Sequence, residues 1–137
     1  MGIGPQALHL LSIVNDIKFK RGSVIELGAQ ELHKGLPSFT IDFPIKKYHQ
    51  YRNINDKELK IFDKMNVENI YKKIGFSKYK AIDLNNLNNS LKLDLNQKIS
   101  NPKLKNNFQL VTNFGTSEHL INQENFFYNA HYLCKKD

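Results

Sequence analysis

The sequence predicts a single α/β domain, residues 1–137, built on a mainly parallel β-sheet flanked by helices. Two observations lead to this prediction. Hydrophobic residues make up 40% of the chain, which suffices for one modest core. Segments of helical or loop character alternate with short apolar runs, as the crossover connections of a parallel sheet require. These apolar runs are at 23–27, 79–83, 91–95 and 108–114.

The first part of the chain predicts a helix, a buried strand and a glycine turn. Pro5 suits a first helical turn. Apolar residues then share one helical face at Ala7, Leu10, Leu11, Val14 and Ile17. Gly22 ends this segment, and SVIEL (23–27) follows as a strand without alternation, which is typical of a strand covered on both faces. After Gly28 the chain is expected to begin a helix.

Residues 33–75 are expected to form an insertion of loops and helices over the ends of the strands. The first part of the insertion has no sustained period and contains two prolines, with one short strand at FTIDF (39–43). Asn55, with a glutamate three residues later, resembles the start of a helix. A second helix fits 67–74, and Gly75 ends it.

The second half of the chain predicts three strands and a last helix. The strands are YKAID (79–83), LKLDL (91–95) and FQLVTNF (108–114). The helix covers about 121–134 and buries either Phe126 or Phe127. Since the chain passes from strand to strand through helices or loops, these strands are expected to lie parallel in one sheet.

Composition and charge narrow the classes of partner and compartment. The net charge is +7, and residues 46–80 hold ten Lys/Arg against four Asp/Glu. Such a block can attract phosphate-bearing partners, including nucleic acid. A solvated surface in a chain rich in Lys and Asn is the simpler explanation, so nucleic-acid binding ranks last.

No segment predicts a membrane span, a secretion signal or a metal site. The apolar patch ALHLLSIV near the start is interrupted and too short to cross a bilayer, and a signal peptide is not indicated. The single cysteine, Cys134, has no disulfide partner or zinc spacing, and the histidines form no cluster with ligand spacing. A cytoplasmic protein without a metal is therefore expected.

Polar residues at the strand ends suggest a ligand with a positive centre. Glu26, Asp83, Asp94 and Asn113 occupy these ends, which should converge where open α/β sheets bind ligands. A dinucleotide would need a G-x-G-x-x-G turn, but after Gly28 the next two glycine positions hold Gln30 and His33. S-adenosylmethionine, with a sulfonium, an ammonium and a ribose diol, suits carboxylate acceptors better.

At this point the chain resembles the class I S-adenosylmethionine-dependent methyltransferases, which have a Rossmann-like fold. Four stretches carry the resemblance, in the family's order: VIELGA (24–29), YKAIDLN (79–85), LDLN (93–96) and FQLVTNFGTSEHL (108–120). The resemblance implies a cofactor site formed by Glu26, Gly28, Gln30, Asp83, Asp94, Leu95 and Asn113. In this site Asp83 would take the ribose hydroxyls, and Asp94 and Leu95 would lie near the adenine.

The chain departs from the family at three places. Gln30 and Leu32 stand where the first motif usually has further glycines, and Gln109 replaces the acid that opens the fourth motif. The family's sheet also continues through three more strands after the last helix. A fold truncated after the fourth strand and its helix is therefore expected. The fourth strand would then form an exposed edge at which the chain could associate with itself or a partner.

The resemblance implies methyl transfer to an acceptor that the sequence does not identify. The catalytic residue is equally unidentified, with His119 as the one candidate general base. Many members of the family need mainly proximity and orientation of the two substrates. The alternative is a non-catalytic binding or interaction module with a degenerate or incomplete methyltransferase fold.

Overall fold

The computed structural model describes residues 2–4, 7, 10, 11, 13, 14, 17, 20–32, 66–86 and 89–136. The strand predicted at 39–43 and the helix predicted after Asn55 lie outside these residues. The described strands are β1 (Gly2–Ile3), β2 (Ser23–Leu27), β3 (Glu31–Leu32), β4 (Lys78–Ile82) and β5 (Leu110–Asn113). The helices are α1 (Val67–Lys73), a 3₁₀ turn (Ser117–His119) and α2 (Gln123–Leu133).

The main sheet has three parallel strands in the order β4-β2-β5. Along its whole length β2 is paired with β4, from Ser23 opposite Lys78 to Leu27 opposite Ile82. On its other side, β2 is paired with β5. These pairings confirm an α/β fold with a parallel sheet, and they confirm three of the four strands predicted within the described residues. They also place β5 at an edge of the sheet.

Each face of the sheet is covered by its own core, which explains why β2 is apolar without alternation. Val24 belongs to the α1-side core, which contains Ile3, Leu11, Val24, Val67, Ile70, Tyr71, Ile74 and Phe76. Ile25 and Leu27 belong to the α2-side core, which contains Ile25, Leu27, Ile82, Leu95, Ile99, Leu104, Phe108, Phe126 and Leu133. Helices therefore pack on both faces of the sheet.

Helices α1 and α2 begin and end close to where the sequence predicts. The Asn66 side chain accepts a hydrogen bond from Asn69 N at 2.9 Å and so caps α1. The helix ends before Gly75, whose φ is +98°. In α2, Phe126 is 2% exposed and Phe127 is 65% exposed, so Phe126 is the buried member of the predicted pair.

The described residues between 7 and 14 are helical, as predicted, but the buried face was predicted wrongly in part. Leu11 is buried, and Ala7 and Val14 pack against the α1-side core. Leu10 and Ile17, predicted on the same face, are 54% and 52% exposed. Five apolar residues in such a span cover more of the helix surface than this core can contact.

Two predicted elements are wrong. After Gly28 the chain forms β3 instead of a helix, because Glu31 and Leu32 are paired in parallel with Gly2 and Ile3. The predicted strand 91–95 is reduced to a single parallel bridge between Leu91 and Ile82. A turn ends it, since the Asp94 side chain accepts from Asn96 N at 2.9 Å.

Two asparagines of α2 bind the main chain of residues 95–99 and so fix this segment to the helix. Asn129 is fully buried. Its side chain accepts from Ile99 N at 2.7 Å and donates to Leu95 O at 3.2 Å and Gln97 O at 2.8 Å. Asn125 Nδ2 donates to the main chain of the same segment at 2.6 Å. The backbone groups of an irregular segment are thereby satisfied without a strand partner.

The chain after α2 returns to the outer edge of the β5 side of the sheet. Phe108 forms a parallel bridge with Cys134. Phe108 N donates to Leu133 O at 3.1 Å, and Lys135 N donates to Phe108 O at 2.7 Å. The next residue, Gln109, donates its N–H to Ser23 O of β2 instead. Cys134 and Lys135 therefore lie on the side of this strand that faces away from β2.

Candidate functional site

The candidate site lies at the edge of the sheet where the three parallel strands end. Leu27 at the end of β2 is paired with Ile82 at the end of β4 and with Asn113 at the end of β5. The loops that follow the three strands therefore meet at this edge. Open α/β sheets bind ligands at this position.

The turn after β2 is held tightly by both neighbouring loops. Gly28 has a φ of +87°, a region that costs a residue with a Cβ about 1–2 kcal/mol. Its N–H donates to Ile82 O at 2.8 Å. A Cβ on Gly28 would lie 1.9 Å from Thr116 Oγ1. Both its backbone angle and its contact with Thr116 therefore require glycine.

A cleft of about 270 Å³ opens beside this turn, and we call it the carboxyl-end cleft. Its walls come from the turn after β2, the loop after β4 and the loop after β5. They contain two acids, Glu31 and Asp83, and no lysine or arginine among the described lining residues. The lining is Ala29, Gln30, Glu31, Asp83, Asn85, Thr116, His119 and Leu120. A ligand with positive charge suits this lining better than an anion.

Asp83 joins two walls of the cleft. Its Oδ2 accepts from Ala29 N at 2.9 Å, and its Oδ1 accepts from Asn85 N at 3.1 Å. A carboxylate has about four acceptor sites, so these two bonds leave each oxygen able to accept again. Asp83 is half-buried. It can therefore support the turn after β2 and still accept hydrogen bonds from a ligand in the cleft.

Gln30 also lies in the cleft wall. It stands where a G-x-G-x-x-G turn would have its second glycine. It is buried, and its Nε2 lies 3.4 Å from Gly28 O and 3.3 Å from Thr116 Oγ1. Thr116 fills the space in front of Gly28. A ligand would therefore touch the turn at Ala29 and Gln30 and would not approach the backbone of Gly28.

Glu26 is not part of the cleft lining. It is fully buried in the sheet below the turn after β2. Tyr79 Oη donates to its Oε2 at 2.8 Å, Gln30 N donates to the same oxygen at 3.2 Å, and Tyr71 Oη donates to Oε1 at 3.2 Å. Its carboxyl group therefore anchors the turn from inside the protein.

The surroundings of Glu26 change its ionisation. Burial, partly opposed by its hydrogen bonds, raises the pKa of Glu26 from its ordinary value of 4.5 to about 7. Burial and the nearby Glu26 carboxyl also raise the pKa of Tyr71 and Tyr79, which stay neutral donors. The two rings are stacked, with centroids 5.3 Å apart, and Thr112 Oγ1 lies 2.9 Å from Tyr71 Oη.

Asp94 and Leu95 lie outside the cleft lining. Asp94 Oδ1 accepts from Asn96 N at 2.9 Å and from Asn96 Nδ2 at 3.1 Å, so it forms the turn that ends this segment. Leu95 is buried in the α2-side core. Asn96 Oδ1 in turn accepts from Ile121 N and Asn122 N, each at 3.0 Å. Through these two hydrogen bonds, the segment holds the loop that precedes α2 in position.

Asn113 shapes the loop that carries Thr116. Its Oδ1 accepts from Thr116 N at 3.0 Å and Ser117 N at 3.3 Å, and its Nδ2 donates to Ser117 Oγ at 2.8 Å. The side chain thus stands in for a backbone turn. Asn113 acts on the cleft through this loop, since it does not itself line the cleft.

His119, the candidate general base, lines the cleft at its exposed rim. Its Nε2 lies 3.4 Å from Glu118 Oε1. Both side chains are well exposed, so this contact adds little stability. The structure therefore places His119 at an exposed position on the rim of the cleft.

Several site residues were missed by reasoning from the sequence. Glu31, Asn85, Thr116 and Leu120 line the cleft, and Tyr71 and Tyr79 surround Glu26. The position of Tyr79 follows from the register of β4 against β2, which the sequence does not give. Ala81 is opposite Glu26, and residues two apart on a strand share one face. Tyr71 depends on the packing of α1 and Glu31 on the pairing of β3. The other residues depend on how loops fold, which no periodic pattern reveals.

Among the described residues, no group of three or more His, Cys, Asp or Glu side chains is placed to hold a metal ion. No helix in the described part of the chain is long and apolar enough to cross a membrane. No protein-family model matches the chain, and searches of curated proteins and of solved structures found no similar protein.

Proposed function

We propose that the chain is a Rossmann-like, S-adenosylmethionine-binding methyltransferase domain that transfers a methyl group to an acceptor yet to be identified. The observation that carries this proposal is the carboxyl-end cleft. It lies at the ends of three parallel strands and combines Asp83 and Glu31 with no lysine or arginine among its described lining residues. This donor and acceptor set suits a cationic nucleoside and disfavours a pyrophosphate.

The strand arrangement also supports the proposal. In the resembled family the fourth strand lies between the first and the fifth. Here β5 lies beside β2, and Cys134 and Lys135 run along the opposite side of its strand at Phe108. On the other side of the sheet, Leu91 makes a parallel bridge to the end of β4. A Rossmann-like sheet would show these neighbours.

Within this proposal the cleft residues have distinct tasks. Asp83 would accept the ribose hydroxyls, and Glu31 would attract the cationic part of the cofactor. A volume of about 270 Å³ lies near the lower end of ligand sites, roughly 300–1,000 Å³, so part of the cofactor would extend out of the cleft. Bound S-adenosylmethionine supplies an activated methyl group, and the chain's residues orient it towards the acceptor.

In this proposal, only some of the residues that the sequence predicts for the cofactor site contact the cofactor. Glu26 would hold the turn after β2 in place through Gln30 N. Asp94, Leu95 and Asn113 would support the walls of the cleft without contacting the cofactor. Gln30 would contact the cofactor directly, because it lines the cleft. His119 is available to accept a proton from the methyl acceptor at the rim.

Replacing Asp83 with Asn tests the proposed ribose contact. We expect the affinity for S-adenosylhomocysteine to fall by about tenfold, because a charge-assisted hydrogen bond is worth about 1.5–3 kcal/mol. Calorimetric titration measures the dissociation constant. The matched control is Asp94→Asn, which removes the same charge from the next segment but not from the cleft.

A second variant guards against an indirect effect, since Asp83 also supports Ala29 N. Glu31→Gln removes the other acid of the cleft and is expected to weaken binding several-fold, because its attraction for the cationic centre is lost. If Asp83→Asn and Glu31→Gln bind S-adenosylhomocysteine as tightly as the unaltered chain, the ligand is not in the carboxyl-end cleft.

A non-catalytic interaction module is the second candidate function. The observation in its favour is that β5 forms an edge of the sheet, and only Phe108 before it is bridged on the outer side among the described residues. Such an edge can accept another strand, from a second copy or from a partner. A folded chain that associates with itself and does not bind S-adenosylhomocysteine would favour this function.

A further inference from the structure

A second cleft, of about 350 Å³, lies at the opposite end of the sheet. We call it the amino-end cleft, because its walls come from the start of β2, from the start of β4 and from the segment before β5. Its lining includes Ser23, Lys78, Lys80, Gln109 and Lys135. Lys80 is the lining residue furthest along β4, and it lies three residues, roughly 10 Å, before Asp83 of the carboxyl-end cleft. The amino-end cleft is therefore independent of the proposed cofactor site.

Positive charge dominates the amino-end cleft. Lys78 and Lys80 alternate along β4 and so share one face of the sheet. Lys135 enters from the segment after α2, and all three lysines are exposed. No aspartate or glutamate is among the described lining residues. None of the three lysines forms an ion pair with a described residue.

Gln109 adds a neutral donor to the three ammonium groups. Its Oε1 accepts from Ser23 N at 2.6 Å and lies 2.9 Å from Ser23 Oγ. This position is open because Gly22 has no side chain, since a Cβ there would lie 2.7 Å from Gln109 Oε1. With its oxygen engaged, the Gln109 side chain has an Nε2 group without a hydrogen-bond partner among the described residues.

We propose that the amino-end cleft binds a phosphate or pyrophosphate group. Three lysines and the Gln109 amide line a space large enough for such a group. A phosphate offers three or more acceptor oxygens and up to two negative charges, so it can engage several of these donors at once. A carboxylate carries a single negative charge, so it would balance only one of the three ammonium groups.

Titration with inorganic pyrophosphate at low ionic strength tests this proposal. The unaltered chain is expected to bind it saturably. The double variant Lys78→Gln/Lys80→Gln is expected to bind it at least about tenfold more weakly, because two charge-assisted contacts are lost. The matched control is Lys92→Gln/Lys103→Gln, which removes the same charge from exposed lysines outside the cleft. This control is expected to keep the original affinity.

Two outcomes would overturn the proposal. The first is that the folded chain does not bind pyrophosphate saturably. The second is that both double variants lose the same affinity for pyrophosphate, because this would indicate attraction by net charge alone. A parallel titration with a short single-stranded oligouridylate identifies the source of the phosphate. Weaker oligonucleotide binding in Lys78→Gln/Lys80→Gln, but not in the control, assigns the site to a polynucleotide phosphate. An effect on pyrophosphate alone assigns it to a small phosphorylated ligand.

Discussion

Replacing Gly28 with alanine is expected to lower the free energy of unfolding by about 4 kcal/mol, which combines two separate costs. The backbone at Gly28 has a φ of +87°, where a Cβ is strained. The new methyl carbon would also lie 1.9 Å from Thr116 Oγ1 and 2.9 Å from Thr116 Cβ. Asn113 holds the Thr116 backbone in place, so the loop after β5 must move as a whole.

Urea unfolding followed by circular dichroism measures this loss. Gly75→Ala is the matched control, because Gly75 has a φ of +98° and, among the described residues, a Cβ there would meet only the Arg21 side chain, at 3.2 Å. The control should therefore cost about 1–2 kcal/mol. Adding Thr116→Gly to Gly28→Ala should restore part of the stability. Equal losses for Gly28→Ala and Gly75→Ala would contradict the close contact with Thr116.

The stability of the chain is expected to fall by about 3 kcal/mol between pH 4.5 and pH 7 through Glu26 alone. Burial raises the pKa of Glu26 from 4.5 to about 7 in the folded chain. Between these values the unfolded chain has lost the proton that the folded chain retains. The folded state therefore binds more protons, and the free energy of unfolding decreases as the pH rises through this window.

Glu26→Gln is expected to abolish this contribution, because the amide has nearly the same shape and does not ionise. The variant should match the unaltered chain near pH 4 and equal or exceed its stability at pH 8. Urea unfolding at a series of pH values gives the comparison. Glu68→Gln removes an exposed carboxylate on α1 that pairs with Lys72, and it should keep the original slope. If the free energy of unfolding of Glu26→Gln depended on pH as steeply as that of the unaltered chain, Glu26 would not be the group that retains a proton in the folded state.

A strand can be predicted from the sequence when the pattern of its own residues shows which of its faces are buried. The run at 23–27 is buried on both faces, and its apolar residues without alternation predicted this directly. Helices α1 and α2 were predictable for a similar reason, since their caps and apolar stripes lie within the helices themselves. In these elements local pattern and tertiary packing require the same residues.

Elements that depend on distant partners could not be predicted in the same way. Glu31 and Leu32 form a strand only because Gly2 and Ile3 pair with them. The segment 91–95 reads as a strand, but it forms a single bridge at Leu91, and Asn129 of α2 donates to Leu95 O at its end. Secondary structure fixed by contacts far along the chain leaves little trace in a local pattern.

The candidate site shows the same division. Asp83 was identified from its place after an apolar run, and the structure places it in the carboxyl-end cleft. The sequence could not show that Tyr71 and Tyr79 enclose Glu26, because that requires the register of β2 against β4 and the packing of α1. Nor could it show Thr116 against Gly28, since this contact joins two loops 88 positions apart in the sequence.

Calorimetric titration of the unaltered chain with S-adenosylhomocysteine tests the central claim most directly. The proposed cofactor site predicts saturable binding of one ligand per chain, which an excess of NAD⁺ does not displace, because Glu31 and Asp83 disfavour a pyrophosphate in the carboxyl-end cleft. Circular dichroism on the same sample establishes that the chain is folded. A folded chain that binds no S-adenosylhomocysteine, or that releases it to NAD⁺, would contradict the proposed function.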